Sequence, residues 1–455
     1  MKKTFVVERC GEFVEVMREA PLAPEVLHHA KRAVIDWAAA ALPGAAVPPA
    51  VALEAALAEE LDRGAARLVL GRPASVRAAA LINGTAAHTA EVDDIFRDGI
   101  YHPGAPTIAA ALALAQAGGL NGIGFLRAVV AGYEISTRIA RAMGRAHYRF
   151  WHNTGTIGAF GACAAGASVL ELDRVRAAHA LATVATFAAG LQQAFRGDSM
   201  SKPLHAGRAA EAGVTAALAA RQGVTGALDI IEGEAGFGRA MGEGPDWNEA
   251  FATLGTDYNI TRMTFKNHAC CGHTFAAIDG ALAAQAALGI AAQDIARVRI
   301  GSYRAALKVS GIESPRTPAE ARFSLKYVVA HALRHGSVRL AAFGPEALSD
   351  PATRALMQRI DASIDAELDA AFPAQRAARV VLETHDGRSH SVLQPTRKGD
   401  PEAPLSDREL EAKFLELASP VLGDGPARSL LERLWRLERE AGVTIAAAVP
   451  QRVAK

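Results

Sequence analysis

Through most of residues 23–265, apolar side chains return at steps of three and four. The clearest runs are PEVLHHAKRAVIDWAAAAL, SVRAAALINGTAAHTAEVDDI, PTIAAALALAQAGG, GFLRAVVAGYEISTRIARAMG and TGTIGAFGACAAGASVLEL. This spacing predicts helices, most of them closed by Gly or Pro. Several are apolar on nearly every face, as expected of helices packed among other helices. Near residue 265 the pattern changes. ARVRIGSYRAALKV alternates like a strand, and RVVLETHDGRSHSVL reads as a hairpin turning at Asp386-Gly387. AEARFSLKYVVAHALRHG and a stretch around 350–370 read as helical, and TRKGDPEAPLSD (396–407) reads as a polar linker. Helices resume in DRELEAKFLELA and PARSLLERLWRLERE, which can return to the first domain and leave the α+β segment as an insertion.

Composition narrows the function classes. The 455 residues are 50% hydrophobic and 21% charged, with enough length for more than one domain and a substantial core. A net charge of +1 gives no general attraction for nucleic acid or an anionic membrane surface, so neither is an expected partner. The N-terminal apolar run is broken at Glu8 and Arg9, and no window approaches the ~20 apolar residues of a membrane span. Four cysteines (Cys10, Cys163, Cys270, Cys271) do not make a disulfide framework, and a cytoplasmic protein is expected.

Four stretches carry candidate chemistry. In HTAEVDDIFRDGIYHPGAP (88–106), a helix reaching about Ile95 would place His88, Glu91 and Asp94 or Ile95 on one face and turn Asp93 away. The following loop holds Tyr101 and His102 ahead of Pro103-Gly104. WHNTGT (151–156) opens a Gly/Ala-rich helix that Asn153 or Thr154 is expected to cap, with His152 just before it. SMSKPLHAGRAAEAG (199–213) sets Lys202 three residues from His205, a pair suited to clamping a carboxylate and supplying a proton. KNHACCGHTF (266–275) has zinc-ligand residue types. However, adjacent Cys270 and Cys271 cannot readily share one tetrahedral ion, and no second ligand pair follows, so no metal is expected there. No Walker loop or G-x-S-x-G elbow occurs.

Taken in order, these segments resemble the MmgE/PrpD family, which includes 2-methylcitrate dehydratases, cis-aconitate decarboxylases and iminodisuccinate epimerases. The resemblance covers nearly the whole chain: NGTAAHTAEVDD, YHPGAP, GYEISTRIARA, WHNTGTIGAFGA, SKPLHAGRAAEAG, FKNHACCGHTFAAIDG, ARFSLKYVVAHAL and PLSDRELEAKF. It implies a two-domain, mainly α fold. A large all-helical domain would come from 1–265 and 405–455, and a smaller α+β lid domain from 266–404, with the active site in the cleft between them. It also implies a cofactor- and metal-independent enzyme that is commonly a homodimer.

Carried over by motif, the resemblance implies catalytic roles for Glu91, Asp94, His102, His152, Lys202 and Tyr327. Lys266 and His273 match the family's lid-side basic residues, and His88, Tyr101 and His205 join them as expected substrate-binding residues. Glu91 stands where many members carry aspartate, and Ile95 where some carry threonine. The implied chemistry is removal of a proton α to a carboxylate, with basic groups neutralising the substrate's charge. The expected function is a dehydratase-type lyase on a small di- or tricarboxylate such as a 2-methylcitrate-like hydroxy acid. An epimerase or decarboxylase of a related acid, or an inactive helical scaffold, is the alternative.

Overall fold

A computed structural model describes residues 4–195, 199–372 and 374–445. The chain forms two compact units, one from the segment up to Thr264 together with residues from Ser406 onward, the other Phe265–Leu405.

In the larger unit the elements that matter for function are helices α1 (Pro24–Ala45), α2 (Val76–Thr89), α3 (Gly104–Gly118), α4 (Gly122–Tyr148), α5 (Asn153–Val169) and α6 (Ser201–Arg221). Every residue of α5 is buried, as its unbroken run of small and apolar side chains implies. Helix α6 packs on both α2 and α5. Glycine makes the first contact possible: a Cβ on Gly207 would lie 2.2 Å from the Leu81 carbonyl oxygen and from Thr85 Oγ1. The helix Asp407–Leu422 packs against α1, so the C-terminal segment returns to the N-terminal one. It opens on a capping box, with Ser406 Oγ accepting from Glu409 N at 3.3 Å while Glu409 Oε2 accepts from Ser406 N at 2.7 Å. This unit is not wholly helical. Strands β1 (Leu61–Arg67) and β2 (Pro73–Ala74) form an antiparallel pair that the helical period did not announce.

The reading of α2 as continuing to Ile95 is also corrected. The helix ends at Thr89, and Glu91 takes a left-handed conformation with φ +59°. Ile95 then pairs in extended form with Thr264, exchanging two backbone hydrogen bonds of 2.9 Å. Residues 90–96 therefore form a shaped loop.

The smaller unit is built on a four-stranded sheet in the order β4–β3–β5–β6. The strands are β3 (Ile295–Ser302), β4 (Ile360–Ile364), β5 (Ala378–Thr384) and β6 (Ser389–Gln394). β3 runs parallel to β4 and antiparallel to β5, and β5–β6 is the hairpin expected around Asp386-Gly387. Along β5, Ala378, Val380, Leu382 and Thr384 are buried in strict alternation. Helix α7 (Phe275–Leu288) lies across β5 and β6 and also meets α8 (Leu325–His335). Two expectations fail here. ARVRIGSYRAALKV is a strand only to Ser302 and then a helix, Arg304–Val309. The 350–370 stretch contains β4 between two short helices. The "linker" lacks regular structure over 396–406 and is partly buried. Arg397 and Asp400 are buried and joined by two 2.8 Å bonds, and Asp279 accepts from Lys398 N at 2.7 Å.

Candidate active site

The site in the larger unit begins where α2 ends. His88, in the last turn, is completely buried. Its Nδ1 lies 2.7 Å from Asp93 Oδ2, and His102 Nδ1 lies 3.2 Å from the same oxygen. Asp93, expected to point away, is the centre of the cluster. The expectation failed because it assumed helical geometry, whereas the left-handed turn at Glu91 redirects the chain. Burial alone would raise the Asp93 carboxyl pKa, but the two imidazoles outweigh burial and hold it well below the ordinary carboxylate range.

The flanking residues fix this loop. Asp94 is buried, accepting from Gly104 N at 3.0 Å and from the Tyr133 hydroxyl at 2.8 Å. Gly104 is required, since a Cβ there would meet Tyr133 Oη at 2.7 Å and Asp94 Oδ1 at 2.9 Å. Burial, reinforced by the nearby Asp36 charge, pushes the Asp94 carboxyl up to about 8. On the other side, the Val92 carbonyl accepts from Lys413 Nζ at 2.7 Å. Lys413 also donates to Asp36 at 2.6 Å, and both of these charged side chains are fully buried.

His102 emerges from the 101–103 turn, and its backbone N–H donates to Thr154 Oγ1 at 3.3 Å. His152 is the N-cap residue of α5, but its side chain does not cap the helix. Neither does Asn153, whose amide instead reaches the Gly99 carbonyl at 2.5 Å. His152 Nδ1 sits 3.0 Å from His205 Nδ1, and its ring stacks on His88 with centroids 5.4 Å apart. Burial first, then the surrounding His88 and Lys202 charges, hold His152 well below the usual imidazole range, and His205 is lowered mainly by burial. Lys202, in the first turn of α6, pairs with Glu91 across 111 residues. Their side chains remain 21% and 30% exposed, so this ion pair stays open to exchange with another carboxylate.

The structure thus brings together Glu91, Asp94, His102, His152, Lys202, His205 and His88, although two expected ligand contacts are corrected. His88 has no exposed surface and acts on Asp93, so it is not a substrate contact. Tyr101 is fully buried with its hydroxyl toward Ser136 and Thr107, a packing position with no surface open to a ligand.

The smaller unit holds the other three candidates. His273 Nδ1 is 2.8 Å from the Tyr303 hydroxyl, and Tyr303 stacks on Phe372. Burial, then Arg376 and Arg397, lower His273 to about 4. Lys266 is buried. Tyr327 is fully buried and donates its hydroxyl to the Ala342 carbonyl, so its expected catalytic role finds no open oxygen. In KNHACCGHTF the would-be ligands diverge: His268 pairs with Asp279 at 3.0 Å, Cys270 with Thr274 at 3.3 Å and His273 with Tyr303. Burial pushes the Cys270 thiol up to about 12, as for an inert packing residue.

His88, Asp93 and His102 have metal-ligand residue types, and their ligating atoms lie within 4.8 Å of one another. The 2.7 and 3.2 Å separations are hydrogen-bond distances. Around a tetrahedral ion with bonds of ~2.0–2.1 Å, donor atoms stand roughly 3.3 Å apart.

Two family models match in succession, the MmgE/PrpD N-terminal domain over residues 8–250 and the MmgE/PrpD C-terminal domain over 268–438. The chain belongs to the MmgE/PrpD family. Among curated MmgE/PrpD relatives, it is 27% identical to the "Cis-aconitate decarboxylase-like protein oryM" of Aspergillus oryzae, over 96% of this chain and 95% of that protein. It is 25% identical to a cis-aconitate decarboxylase of Aspergillus terreus, over 92% and 90%. With the cis-aconitate decarboxylase of Homo sapiens it shares 25% identity, over 79% and 76%. Among the described residues, no single helix of this MmgE/PrpD protein is long and apolar enough to cross a membrane.

Proposed function

We propose that this MmgE/PrpD protein is a cofactor-independent lyase of the dehydratase type, acting on a small di- or tricarboxylate. The observation that carries this reading is His102 backed by the buried, anionic Asp93. A carboxylate-backed imidazole is a general base, and proton abstraction α to a carboxylate needs one. Lys202 already holds one carboxylate, that of Glu91, and the same cation suits a substrate carboxylate that must tolerate further negative charge. His152, held well below the usual imidazole range, is a strong acid once protonated and so suits release of hydroxide as water. Two imidazoles whose surroundings differ this much divide naturally into base and acid. Lys266 and His273 are assigned to substrate binding on the family resemblance.

A second reading, a decarboxylase, is favoured by the activity for which the relatives are named. It would use the same cationic groups and lose CO₂ where the dehydratase loses a proton and hydroxide. A panel of hydroxy-acids and unsaturated acids, followed in parallel by ultraviolet absorbance and CO₂ capture, separates the two. Alkene formation without CO₂ is expected; CO₂ release from an unsaturated tricarboxylate establishes the decarboxylase. His102→Ala and Lys202→Ala should each lower turnover by at least about 10²-fold with the fold intact. Near-normal turnover in both would remove the site assignment.

A further inference from the structure

The smaller unit carries a cavity that the proposed reaction does not use. It measures about 630 Å³, inside the roughly 300–1,000 Å³ usual for small-molecule sites, and all of its lining lies between Ser314 and Arg354. None of the residues assigned to the reaction lines it. Its polar lining is Arg316, Arg354, Ser314 and Ser349, and the rest is three prolines and Leu348. Two guanidinium groups therefore border this space, and no carboxylate does.

Arg354 holds the walls together. From the helix Pro351–Met357 it donates Nε to the Leu348 carbonyl and Nη2 to the Pro315 carbonyl, each at 2.8 Å. Its guanidinium also lies over the Tyr327 ring, 5.6 Å from the centroid. One side chain thus ties the segment before the helix Pro318–Arg322 to the end of the helix Pro345–Ser349. Its Nη1 makes no hydrogen bond among the described residues, so these donors remain to be spent. Arg316 is held through its backbone: its N–H donates to Glu320 Oε2 at 2.6 Å, and Thr317 and Glu320 close a capping box behind it. Arg316 is exposed, and its guanidinium forms no hydrogen bond or ion pair among the described residues. Two acids of the same segments are already engaged, Glu320 by these backbone N–H groups and Asp350 by Arg334 and by Thr353 Oγ1 at 2.5 Å.

A lone exposed arginine needs no ligand. Two guanidinium groups on one concave, apolar-walled space without an acid among them are a different arrangement, since like charges repel and an anion relieves that repulsion. We propose that this cavity binds a small organic acid, its phosphate or carboxylate oxygens taken by Arg316 and Arg354 and its apolar body lying against the prolines and Leu348. The planar guanidinium fork matches either oxyanion. The volume and the apolar walls suit a ligand with an organic body rather than a bare inorganic ion.

The test uses the full chain carrying Lys202→Ala, which removes the cation proposed for the active site, and titrates it calorimetrically with phenyl phosphate, benzoate and inorganic phosphate. At least one of the two aryl probes should bind at one per chain, and inorganic phosphate at least about tenfold more weakly. Tighter binding of phenyl phosphate assigns the site to a phosphate ester, and tighter binding of benzoate to a carboxylate. Adding Arg316→Gln should weaken the bound probe at least about tenfold, the worth of one hydrogen bond to a charged group. Pro318→Glu, which adds an acid to the lining, should weaken it as well. Arg304→Gln, at an exposed arginine of the same unit outside the cavity, should leave binding unchanged. Failure of both aryl probes to bind overturns the proposal. So does binding that neither Arg316→Gln nor Pro318→Glu alters, or inorganic phosphate binding as tightly as the aryl probes. Turnover measurements on Lys202→Ala alone bear on the proposed function and leave this result standing.

Discussion

Asp94 shows what a buried acid costs when, among the described residues, no cation pairs with it. Its carboxyl is shifted from an ordinary 3.8 up to about 8, first by burial and then by the neighbouring Asp36 charge. Between those two values the folded chain keeps a proton that the unfolded chain has released, so Asp94 lowers stability progressively as pH rises through that window. Asp94→Asn keeps the shape and most of the hydrogen bonding but removes the titration. Denaturant unfolding at pH 5 and pH 8 should therefore show a smaller loss of stability in the variant than in the unmodified protein. An equal loss in both would place the titrating group elsewhere. The sequence made Asp94 visible as half of an acid pair but turned its partner Asp93 away from the site. The deciding feature, a left-handed backbone at Glu91, has no mark in the sequence, because the residue there is neither Gly nor Asn. His102, His152 and Lys202 stood out as candidates because Pro, Gly-rich helices and the K-x-x-H spacing frame them, and the structure places them near one another. Tyr133 and Tyr303 were not, since an aromatic in an apolar run reads as core until its hydroxyl is seen to find a partner.

At the scale of elements, the site loop depends on a helix far away in sequence. The Asp407–Leu422 helix sends buried Lys413 to both Asp36 on α1 and the Val92 carbonyl. Lys413→Met alone should cost about 3–5 kcal/mol, because it leaves Asp36 as a buried anion without its partner. The double variant Asp36→Leu/Lys413→Met replaces the pair with apolar groups and should recover most of that stability. It does not restore the hold on Val92, so activity should stay low. Recovery of activity together with stability would show that Lys413 serves only its ion pair. The helix itself was readable from its periodicity, but a lysine in an amphipathic pattern reads as solvent-facing, and nothing local marks this one as buried. Strand β4 escaped notice for a related reason. Five residues between two short helices are too few for an alternating period to stand out, and its parallel partner β3 lies more than fifty residues earlier.

At the scale of the molecule, both ends of the chain contribute to one unit, and the motifs that carry the family resemblance fall into two kinds. Some carry the residues proposed for the chemistry, such as His102 and Lys202. Others hold the site, such as GYEISTRIARA, where Tyr133 fixes Asp94. In the same motif, buried Glu134 accepts from the backbone of Asn259 and Ile260 at 3.0 Å each. The first kind pointed to a carboxylate enzyme of the dehydratase or decarboxylase type but not to its substrate, because fold and shared motifs accommodate several acids. The central claim is that His102 removes a proton α to a carboxylate without a metal. The most direct measurement is ¹H NMR in D₂O of chelator-treated protein with a panel of hydroxy-di- and tricarboxylates, alongside His102→Gln. The account predicts loss of an α-proton signal with growth of an alkene in the unmodified protein, and neither in His102→Gln. Turnover that persists in His102→Gln, or that vanishes on removing metal and returns with it, would contradict the account.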